Sequence, residues 1–522
     1  NLMGAAAAAA SAGGGDFYTH QIANSVRIPA TSSTSSSNGR LTKTFGTVDS
    51  SVHWTLNFWI KRSAIGGTNP IAGVRPLDIF TPRSGTSGSV LNEFFFGASA
   101  SYGAGDAFVI TNTNTGAYVL STNNLFRDTS AWYNFHIQAD LDNGTASEKL
   151  KIFVNGTEVS YNVDNRGSFS SLPGFTAGAW TIGDYYGYGY PLQSYLAAWA
   201  YVDGYTHPPT DFAESKNGVW IPKDLSSGIT WGSAGHLLDF AYASALGNDV
   251  SGNNNDWAVA NIATHDQMLD SPTFNSDSNA NFPTINVLDP TITVSAISEG
   301  NLKITEGNGL GGKATFAVPL TGKWYWEAYV NNGAYQEMWA GITGITTNSS
   351  GEGRGGSSNA TTYGASWSNY SGSNMYIRKY IAGTESAESG SFGPTSDTIL
   401  GVAINRDDNE AKFYKNNALQ FTTAISATQE YFPAGGMGGG NDSSTITVWN
   451  FGQDGTFAGN ETAQGNADGN GYGNFYYAPP TDFLALCAGN LPVPDAIDPA
   501  QTDDNFPQKL FNTKLYTGTG SS

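Results

Sequence analysis

The chain of 522 residues has little cysteine, little charge and no long apolar run. With a single cysteine, Cys487, it can form neither an intramolecular disulfide nor a cysteine-based zinc site, so burial and hydrogen bonding must stabilise the fold. Its 24 Lys and Arg against 44 Asp and Glu give a net charge of −20, which would repel a phosphate backbone, and the sequence has no basic stripe. We therefore expect no nucleic-acid binding and no membrane insertion.

Helical periodicity is scarce as well, whereas aromatic residues and glycine are abundant. The chain contains 13 Trp, 26 Tyr, 28 Phe and 64 Gly, and only 13% of its residues are charged. This composition is typical of an all-β protein. The length exceeds what one hydrophobic core usually serves, so the sequence predicts two or three domains.

Two segments have the pattern of the same β-hairpin. They are LKIFVNGTEV at 150–159 and AKFYKNNALQ at 411–420, each with an Asn-led turn. A two-residue hairpin loop needs positive φ at both central residues, which Asn and Gly tolerate. In HWTLNFWIKRS at 53–63, alternate apolar side chains beginning at Trp54 predict a strand with one face packed inward.

The order of such segments resembles two known β-sandwich families. FWIKRS, AWYNFHIQADLDNGTASEKLKIFVNGTEV and IGDYYGYGYPLQSYLAAWAYVDG resemble a laminin-G or concanavalin-A-like domain over residues 17–213. GKWYWEAYV, MWAGIT, TILGVAINRDDNEAKFYKNNALQF, EYFPAGG and STITVWNFGQ resemble a SPRY domain over residues 286–456, although Asn405 and Asn417 replace a frequent Asp and Gly. Together they imply tandem antiparallel β-sandwiches, first a jelly roll and then a SPRY-like sandwich.

The whole succession, including NGVWIPK, LDFAYASALGNDVSGNNNDW and QMLDSPT, resembles appendage or fibre proteins of tailed bacteriophages, notably marine ones. The resemblance implies an Ala/Gly-rich anchoring segment at 1–16, an irregular connector at 214–285, and an extension at 457–522 that leads into a further domain. The six alanines at 5–10 fit two interpretations, a disordered leader or a small-residue segment that lets backbones approach closely.

Two tyrosine-rich segments are candidates for a glycan site or an interface: GDYYGYGYPL at 183–192 and YGASWSNYSGSNMY at 363–376. Aromatic rings stack on the C–H faces of sugars, but Tyr is also enriched at subunit contacts whatever the partner, so both interpretations stay open. The candidate residues are Tyr185, Tyr186, Tyr188, Tyr190, Tyr363, Trp367, Tyr370 and Tyr376.

The connector contains one candidate cation site. In DVSGNNNDW, the side chains of Asp249, Asn253, Asn255 and Asp256 offer closely spaced oxygen ligands of the kind that Ca²⁺ prefers, although the EF-hand spacing and its terminal Glu are absent. An Asx-rich turn that needs no ion is the alternative.

Catalytic patterns are missing. Glucanase relatives of the first sandwich carry their paired carboxylates in an ExDxxE run, which this chain lacks. The nearest acids, Asp140 with Asp142 and Asp407 with Asp408 and Glu410, lie beside hairpins where solvated turns are expected. The sequence also has no GxSxG, P-loop or HExxH motif, and its six histidines never fall at ligand spacing.

We therefore expect a virion structural protein, a tail or capsid fibre, rather than an enzyme. It would assemble in the host cytoplasm, join other virion proteins through its N-terminus, form a homo-oligomer and contact host-surface glycans multivalently. A purely architectural decoration protein and a polysaccharide-degrading enzyme are the alternatives.

Overall fold

A computed structural model shows an all-β chain. The description covers residues 17–30, 38–65, 68–69, 73–74, 77–85, 91–97, 105–113, 116–185, 190–274, 278–289, 297–305, 310–331, 337–344, 362–368, 376–382, 384–387, 397–438 and 446–491. Within these residues the helices are short 3₁₀ turns at Ala146–Glu148, Arg166–Ser168, Pro209–Asp211, Ala243–Ala245 and Thr264–Asp266. None of the helices in this described part of the chain has the length and apolar character needed to cross a membrane.

The strands of the N-terminal half form two large antiparallel sheets. The strands are β1 (Ser25–Ile28), β2 (Arg40–Phe45), β3 (His53–Arg62), β4 (Thr68–Asn69), β5 (Gly73–Val74), β6 (Leu77–Thr81), β7 (Asn92–Gly97), β8 (Ala107–Asn112), β9 (Ala117–Leu125), β10 (Trp132–Asp140), β11 (Leu150–Val154), β12 (Thr157–Glu158), β13 (Tyr161–Asp164), β14 (Gly178–Ile182), β15 (Ser194–Asp203), β16 (Ala213–Lys216), β17 (Val219–Pro222), β18 (His236–Leu238), β19 (Ala258–Ala260) and β20 (Gln267–Met268). The first sheet has the order β12-β11-β10-β3-β15-β1-β20, with β18 also paired to β15, and the second has the order β13-β9-β8-β7-β6-β14-β2-β19. The short pairs β4-β5 and β16-β17 stand apart from them.

The C-terminal half repeats this plan with a third and a fourth sheet. Its strands are β21 (Ile297–Ser298), β22 (Lys303–Thr305), β23 (Leu310–Lys313), β24 (Lys323–Val330), β25 (Glu337–Gly344), β26 (Tyr363–Ser368), β27 (Tyr376–Ile381), β28 (Thr384–Ala387), β29 (Thr398–Asn405), β30 (Glu410–Lys415), β31 (Ala418–Ala424), β32 (Tyr431–Gly438), β33 (Ile446–Asn450) and β34 (Leu484–Ala485). The third sheet has the order β21-β22-β33-β24-β29-β30-β31, with β34 parallel to β24, and the fourth has the order β23-β32-β25-β26-β27-β28. The all-β sandwich class predicted from the sequence is confirmed.

Strand β3 shows how the residue pattern builds the first sandwich. Its inward side chains, from Trp54 to Ile60 at every second position, are fully buried in the core between the first and second sheets. The sequence predicts one buried face, but from Trp54 onward the opposite face of β3 is buried as well. On that outer face, Trp59 belongs to a buried cluster with Ile22 before β1, Ala213 on β16 and Met268 on β20. The segment before β1 and the β16-β17 hairpin therefore form a third layer over the first sheet.

The segment predicted to be an irregular connector contributes strands to the first sandwich. Strand β18 pairs with β15, β19 with β2 and β20 with β1, while β16 and β17 form a separate hairpin. Val219, Ile221 and Phe274 from the same segment are buried in the main core cluster of the C-terminal half. The connector thus packs on both sandwiches.

Buried ion pairs also join the two halves. The Arg27 guanidinium on β1 lies 2.9 Å from Asp266 and 3.1 Å from Asp454, and all three side chains are almost fully buried. The Nζ of Lys61 lies 2.6 Å from the carboxylate of Asp270, and both side chains are fully buried. A buried charge that loses its partner strongly destabilises the fold, so these contacts hold the segments in register.

Glu327 on β24 anchors the segment that follows β33. Its two carboxyl oxygens accept the backbone N–H groups of Tyr476 and Tyr477, each at 2.8 Å, and the Tyr325 hydroxyl donates to the same group at 3.1 Å. Burial raises the pKa of Glu327 from 4.5 to about 7, and the hydrogen bonds from its donors oppose that rise. The group is therefore a buried, titratable attachment point.

Both Asn-led hairpin turns have the backbone that the sequence predicts. Asn155 and Gly156 have φ values of 48° and 77°, and Asn416 and Asn417 have values of 43° and 65°. Gly156 has a second constraint, because a Cβ there would lie 2.5 Å from the indole ring of Trp220 on β17. The first hairpin therefore packs tightly against the connector.

Candidate functional site

The tyrosine loop at 183–192 is only partly described. Tyr185 and Tyr190 make an edge-to-face contact with ring centroids 5.2 Å apart, and the Tyr190 N–H donates to Asp184 at 2.9 Å. Both rings are half-buried, whereas Tyr186 and Tyr188 lie outside the described residues. The two described tyrosines therefore contact each other, and their role in glycan binding stays a prediction.

A buried carboxyl lies beside this loop. The backbone N–H of Asp78 donates to the Tyr190 carbonyl at 3.2 Å, while both carboxyl oxygens of Asp78 are buried without a hydrogen-bond partner among the described residues. Burial, with the neighbouring Glu93 and Asp184, raises the pKa of Asp78 well above its usual value. The raised pKa favours the neutral form of the Asp78 side chain.

The second tyrosine-rich cluster falls on β26 and β27. Trp367 and Ile377 are backbone partners, as are Ser368 and Tyr376, so Trp367 and Tyr376 occupy successive register positions of the two strands. Tyr363 is buried and contacts Tyr431 edge to face at 5.8 Å. Tyr370 lies outside the described residues.

The candidate calcium segment forms a hydrogen-bonded loop. The carboxylate of Asp249 accepts the N–H groups of Leu237, Ser251 and Asn255 at 2.8–2.9 Å. The amides of Asn253 and Asn255 donate to backbone carbonyls of residues 232–235, and Asp256 accepts the Asp249 N–H. These bonds are those of the Asx-rich turn considered as the alternative, and calcium binding stays a prediction.

Of the acids beside the hairpins, Asp142, Asp407 and Asp408 lie in turns, whereas Asp140 ends β10 and Glu410 begins β30. Asn405 accepts the N–H groups of Asp407 and Asp408 at 3.1 Å, as expected for a polar turn. At the other hairpin, the Nε2 of His53 lies 3.2 Å from Asp140 and 2.9 Å from Asp142, which brings together three groups that are able to hold a metal ion. Sequence analysis did not predict this cluster, because His53 and Asp140 meet only through the pairing of β3 with β10. Asp142 is 65% exposed, so an ion pair in solvent accounts for the arrangement.

A more enclosed site lies on the outer face of the first sheet. We call it the aromatic cavity; it has a volume of about 190 Å³ and lies between β3, β10, the β16-β17 hairpin and the segments next to β1 and β20. Six aromatic side chains line it: Tyr18, Trp59, Trp132, Tyr133, Trp220 and Phe274. Asp128, Asn155 and Asn281 add polar groups at the same wall. Rings combined with a few oriented polar groups are the usual lining of a small-molecule site.

Hydrogen bonds fix the aromatic rings of this cavity. The Trp132 indole donates to Asp270 and the Trp220 indole donates to Asn134, each at 2.9 Å. The Tyr18 hydroxyl is buried and has no hydrogen-bond partner among the described residues. Burial raises the pKa of Tyr18, so its hydroxyl stays protonated and able to donate to a ligand.

A second cavity shares Trp59 as a wall. We call it the larger cavity; its volume is about 330 Å³, within the range of small-molecule sites. Buried Asn57, Trp59 and Phe212 lie on one side of it, and the exposed residues Asp224 and Ser226 lie at its edge. It therefore opens to solvent.

The sequence analysis missed both cavities. Trp59 is in the strand that the alternating pattern predicted, but its neighbours in the cavities come from positions as distant as Tyr18 and Phe274. The available signal was one aromatic residue, Trp59, on the outer face of a strand, together with Trp220 in the segment 217–222. That signal does not reveal which segment covers the face.

Comparisons with known proteins agree with the fold alone. No family model and no curated protein sequence matches this chain. Among solved structures, the TRIM65 PSpry domain is 13% identical, covering 32% of this chain and 91% of that chain with a TM-score of 0.23. The SPRY domain of human HERC1 is 14% identical, covering 29% of this chain and 89% of that chain with a TM-score of 0.22. A SAP-like pentraxin from Limulus polyphemus is also 14% identical, covering 37% of this chain and 82% of that chain with a TM-score of 0.25. The structures similar to this chain thus include SPRY domains and other β-sandwich proteins.

Proposed function

We propose that this chain is a glycan-binding structural protein of a bacteriophage particle, without enzymatic activity. The bacteriophage assignment rests on the order of sequence segments described above. The observation that carries glycan binding is the aromatic cavity, in which fixed indole rings and polar side chains surround a space open to a small ligand.

The aromatic cavity suits a sugar for chemical reasons. The faces of Trp and Tyr rings pack on the apolar C–H surfaces of a pyranose, while hydroxyl groups need hydrogen-bond partners at the rim. Asn155 and Asn281 line the cavity with amides that are already hydrogen-bonded within the chain. Tyr18 supplies a hydroxyl donor that has no partner of its own among the described residues. Hydrogen bonds already hold Trp132 and Trp220 in place, so these two side chains lose little conformational freedom when a ligand binds.

The binding of one sugar in such a small cavity would be weak, and multiple copies of the chain on a particle would make it effective. An architectural role without receptor contact is the second candidate. It is supported by the tyrosines of the 183–192 loop, because Tyr is enriched at subunit contacts and Tyr185 and Tyr190 pack on each other at half-buried positions.

Glycan-array binding by the purified chain separates these two functions. We expect binding to neutral glycans, lost in Trp220→Ala and retained in Tyr242→Ala, which removes a 60% exposed aromatic outside both cavities. Loss in a Tyr186→Ala, Tyr188→Ala double variant instead would place the site in the tyrosine loop. Absence of binding by the folded wild-type chain favours the architectural role, and release of reducing ends from polysaccharides would show an enzyme.

A further inference from the structure

We propose that the larger cavity is a second subsite of the same glycan site, and that it accepts an uncharged sugar residue and excludes an acidic one. The ligand would then be an oligosaccharide that passes across Trp59, with one residue in the aromatic cavity and the next in the larger cavity. This inference rests on the proposed glycan-binding function.

The two cavities are placed for one extended ligand. Trp59 lines both of them and is only 4% exposed, so the two spaces share its buried side chain as a common wall. Strand β17 borders both, with Val219 and Trp220 in the aromatic cavity and Pro222, followed by residues 223–226, in the larger cavity. An oligosaccharide commonly needs such a row of adjoining spaces with an aromatic ring between them.

A β-bulge shapes the larger cavity. Trp59 pairs with Ala197 and Asn57 pairs with Ala200, so that two residues of β15 oppose the single residue Phe58 of β3. The extra residue Ala198 has a φ of 45°, a left-handed conformation that is unfavourable for alanine, and it lines the cavity between Asn57 and Trp59. Bulges and strained residues are concentrated next to binding sites, where they redirect side chains.

The polar groups of the larger cavity are mostly hydrogen-bond acceptors. The Oε1 of Gln21 is buried and has no partner among the described residues. Asp224 and Asp239 each accept a backbone N–H in a turn, at 2.8 Å and 3.1 Å, and a carboxylate has room for further donors. Sugar hydroxyls are donors of the kind that these oxygens need.

The charge of the larger cavity disfavours an anionic ligand. Its ionisable lining groups are His20, Lys223, Asp224 and Asp239. The ammonium of Lys223 already donates to the Thr210 carbonyl at 2.8 Å. Burial lowers the pKa of His20, although Asp224 opposes the shift, and this favours the neutral imidazole. Two aspartates therefore face one lysine, and a sugar carboxylate would meet net repulsion.

Calorimetric titration of the full chain with neutral oligosaccharides of increasing length, and with oligouronates of matched length, tests the proposal. Ser226→Trp fills the larger cavity from its exposed edge, and Ser227→Trp places the same side chain one residue farther, outside the cavity. We expect Ser226→Trp to weaken binding of the longer neutral oligosaccharides by about 30-fold, the size of a binding hot spot, and to leave the shortest bound ligand unaffected. Ser227→Trp should bind like the wild type, and oligouronates should bind at least about tenfold more weakly than neutral ligands.

Three results would overturn the inference in distinguishable ways. Equal affinity of Ser226→Trp and wild type for every length shows that the larger cavity is not a subsite, although the glycan-binding function survives. Equal affinity for oligouronates refutes the exclusion of acidic sugars. Failure of the folded wild-type chain to bind any saccharide rejects the proposed function together with this inference. Ala241→Trp, on another exposed wall of the larger cavity, replaces Ser226→Trp if thermal melting shows that variant to be unfolded.

Discussion

The buried carboxyl of Glu327 makes the stability of the C-terminal sandwich dependent on pH. Burial raises the pKa of Glu327 from 4.5 in the unfolded chain to about 7 in the folded chain. A group whose folded pKa is raised contributes stability that is fully present below its unfolded pKa and is lost as pH rises through its folded pKa. One pKa unit corresponds to about 1.4 kcal/mol, so the unfolding free energy should fall by about 3 kcal/mol between these two pH values.

Glu327→Gln isolates this contribution. The amide cannot titrate, but its NH₂ group faces the backbone N–H of Tyr476 or Tyr477, because both oxygens of the glutamate accept a hydrogen bond. We therefore expect the variant to be less stable than wild type at pH 5 by about 1–3 kcal/mol, the cost of one unsatisfied buried group. At pH 8 the two proteins should have similar stability, because the wild type has by then lost its contribution.

Urea unfolding followed by tryptophan fluorescence, at a series of pH values from 5 to 8, measures the difference between the two proteins. Glu430→Gln, at an exposed position before β32, is the matched control and should follow the wild type throughout. If the curves of wild type and Glu327→Gln stay parallel across this range, the carboxyl does not titrate as its burial requires, and the reasoning is wrong.

Three further predictions concern the N-terminal sandwich. Arg27→Met should lower the unfolding free energy by about 3–5 kcal/mol, and the calorimetric melting temperature by roughly 3–5 °C, because it leaves Asp266 and Asp454 buried without their cation. Arg127→Met, which removes a 54% exposed partner of Asp106, should change the unfolding free energy far less. The raised pKa of Asp78 makes the wild type lose stability as pH rises above about 4. Asp78→Asn should remove this pH dependence of the unfolding free energy. In guanidinium titrations at pH 8, the variant should therefore be more stable than the wild type. Gly156→Ala should lower the unfolding free energy by at least about 1–2 kcal/mol, because an alanine there combines a positive φ with a close contact to the Trp220 ring. The variant should also alter the near-UV circular dichroism of that indole. An unchanged spectrum would contradict the packing of Gly156 against Trp220.

Local patterns predicted the strands and turns well. The alternation from Trp54 to Ile60 and the Asn-Gly pair at 155–156 depend on nearest-neighbour geometry, which one stretch of sequence contains in full. The β-sandwich class followed from the same patterns. The laminin-G assignment and the bacteriophage origin rest on the order of segments, and they remain predictions.

The cavities and the third layer were beyond reach of the sequence for a physical reason. Trp59 is apolar on a face where alternation predicts polar residues, and this shows that something covers it. The identity of the cover depends on contacts between residues far apart, such as Met268 with the outer face of β3 and Tyr195 with Gly300. No local propensity encodes such pairings, so the candidate site emerged only from the assembled fold.

The position of Arg27 determines when this protein is able to finish folding during its synthesis. Strand β1 has no partner strand until β15 has been synthesised. Arg27 also pairs with the carboxylate of Asp454, which lies 427 residues later in the chain. At about 5–20 residues per second, a ribosome needs roughly 20–90 s to supply that partner. For this interval the nascent chain carries an unpaired strand and a cation destined for the interior, and it depends on water or a chaperone to keep both from pairing with a neighbouring chain.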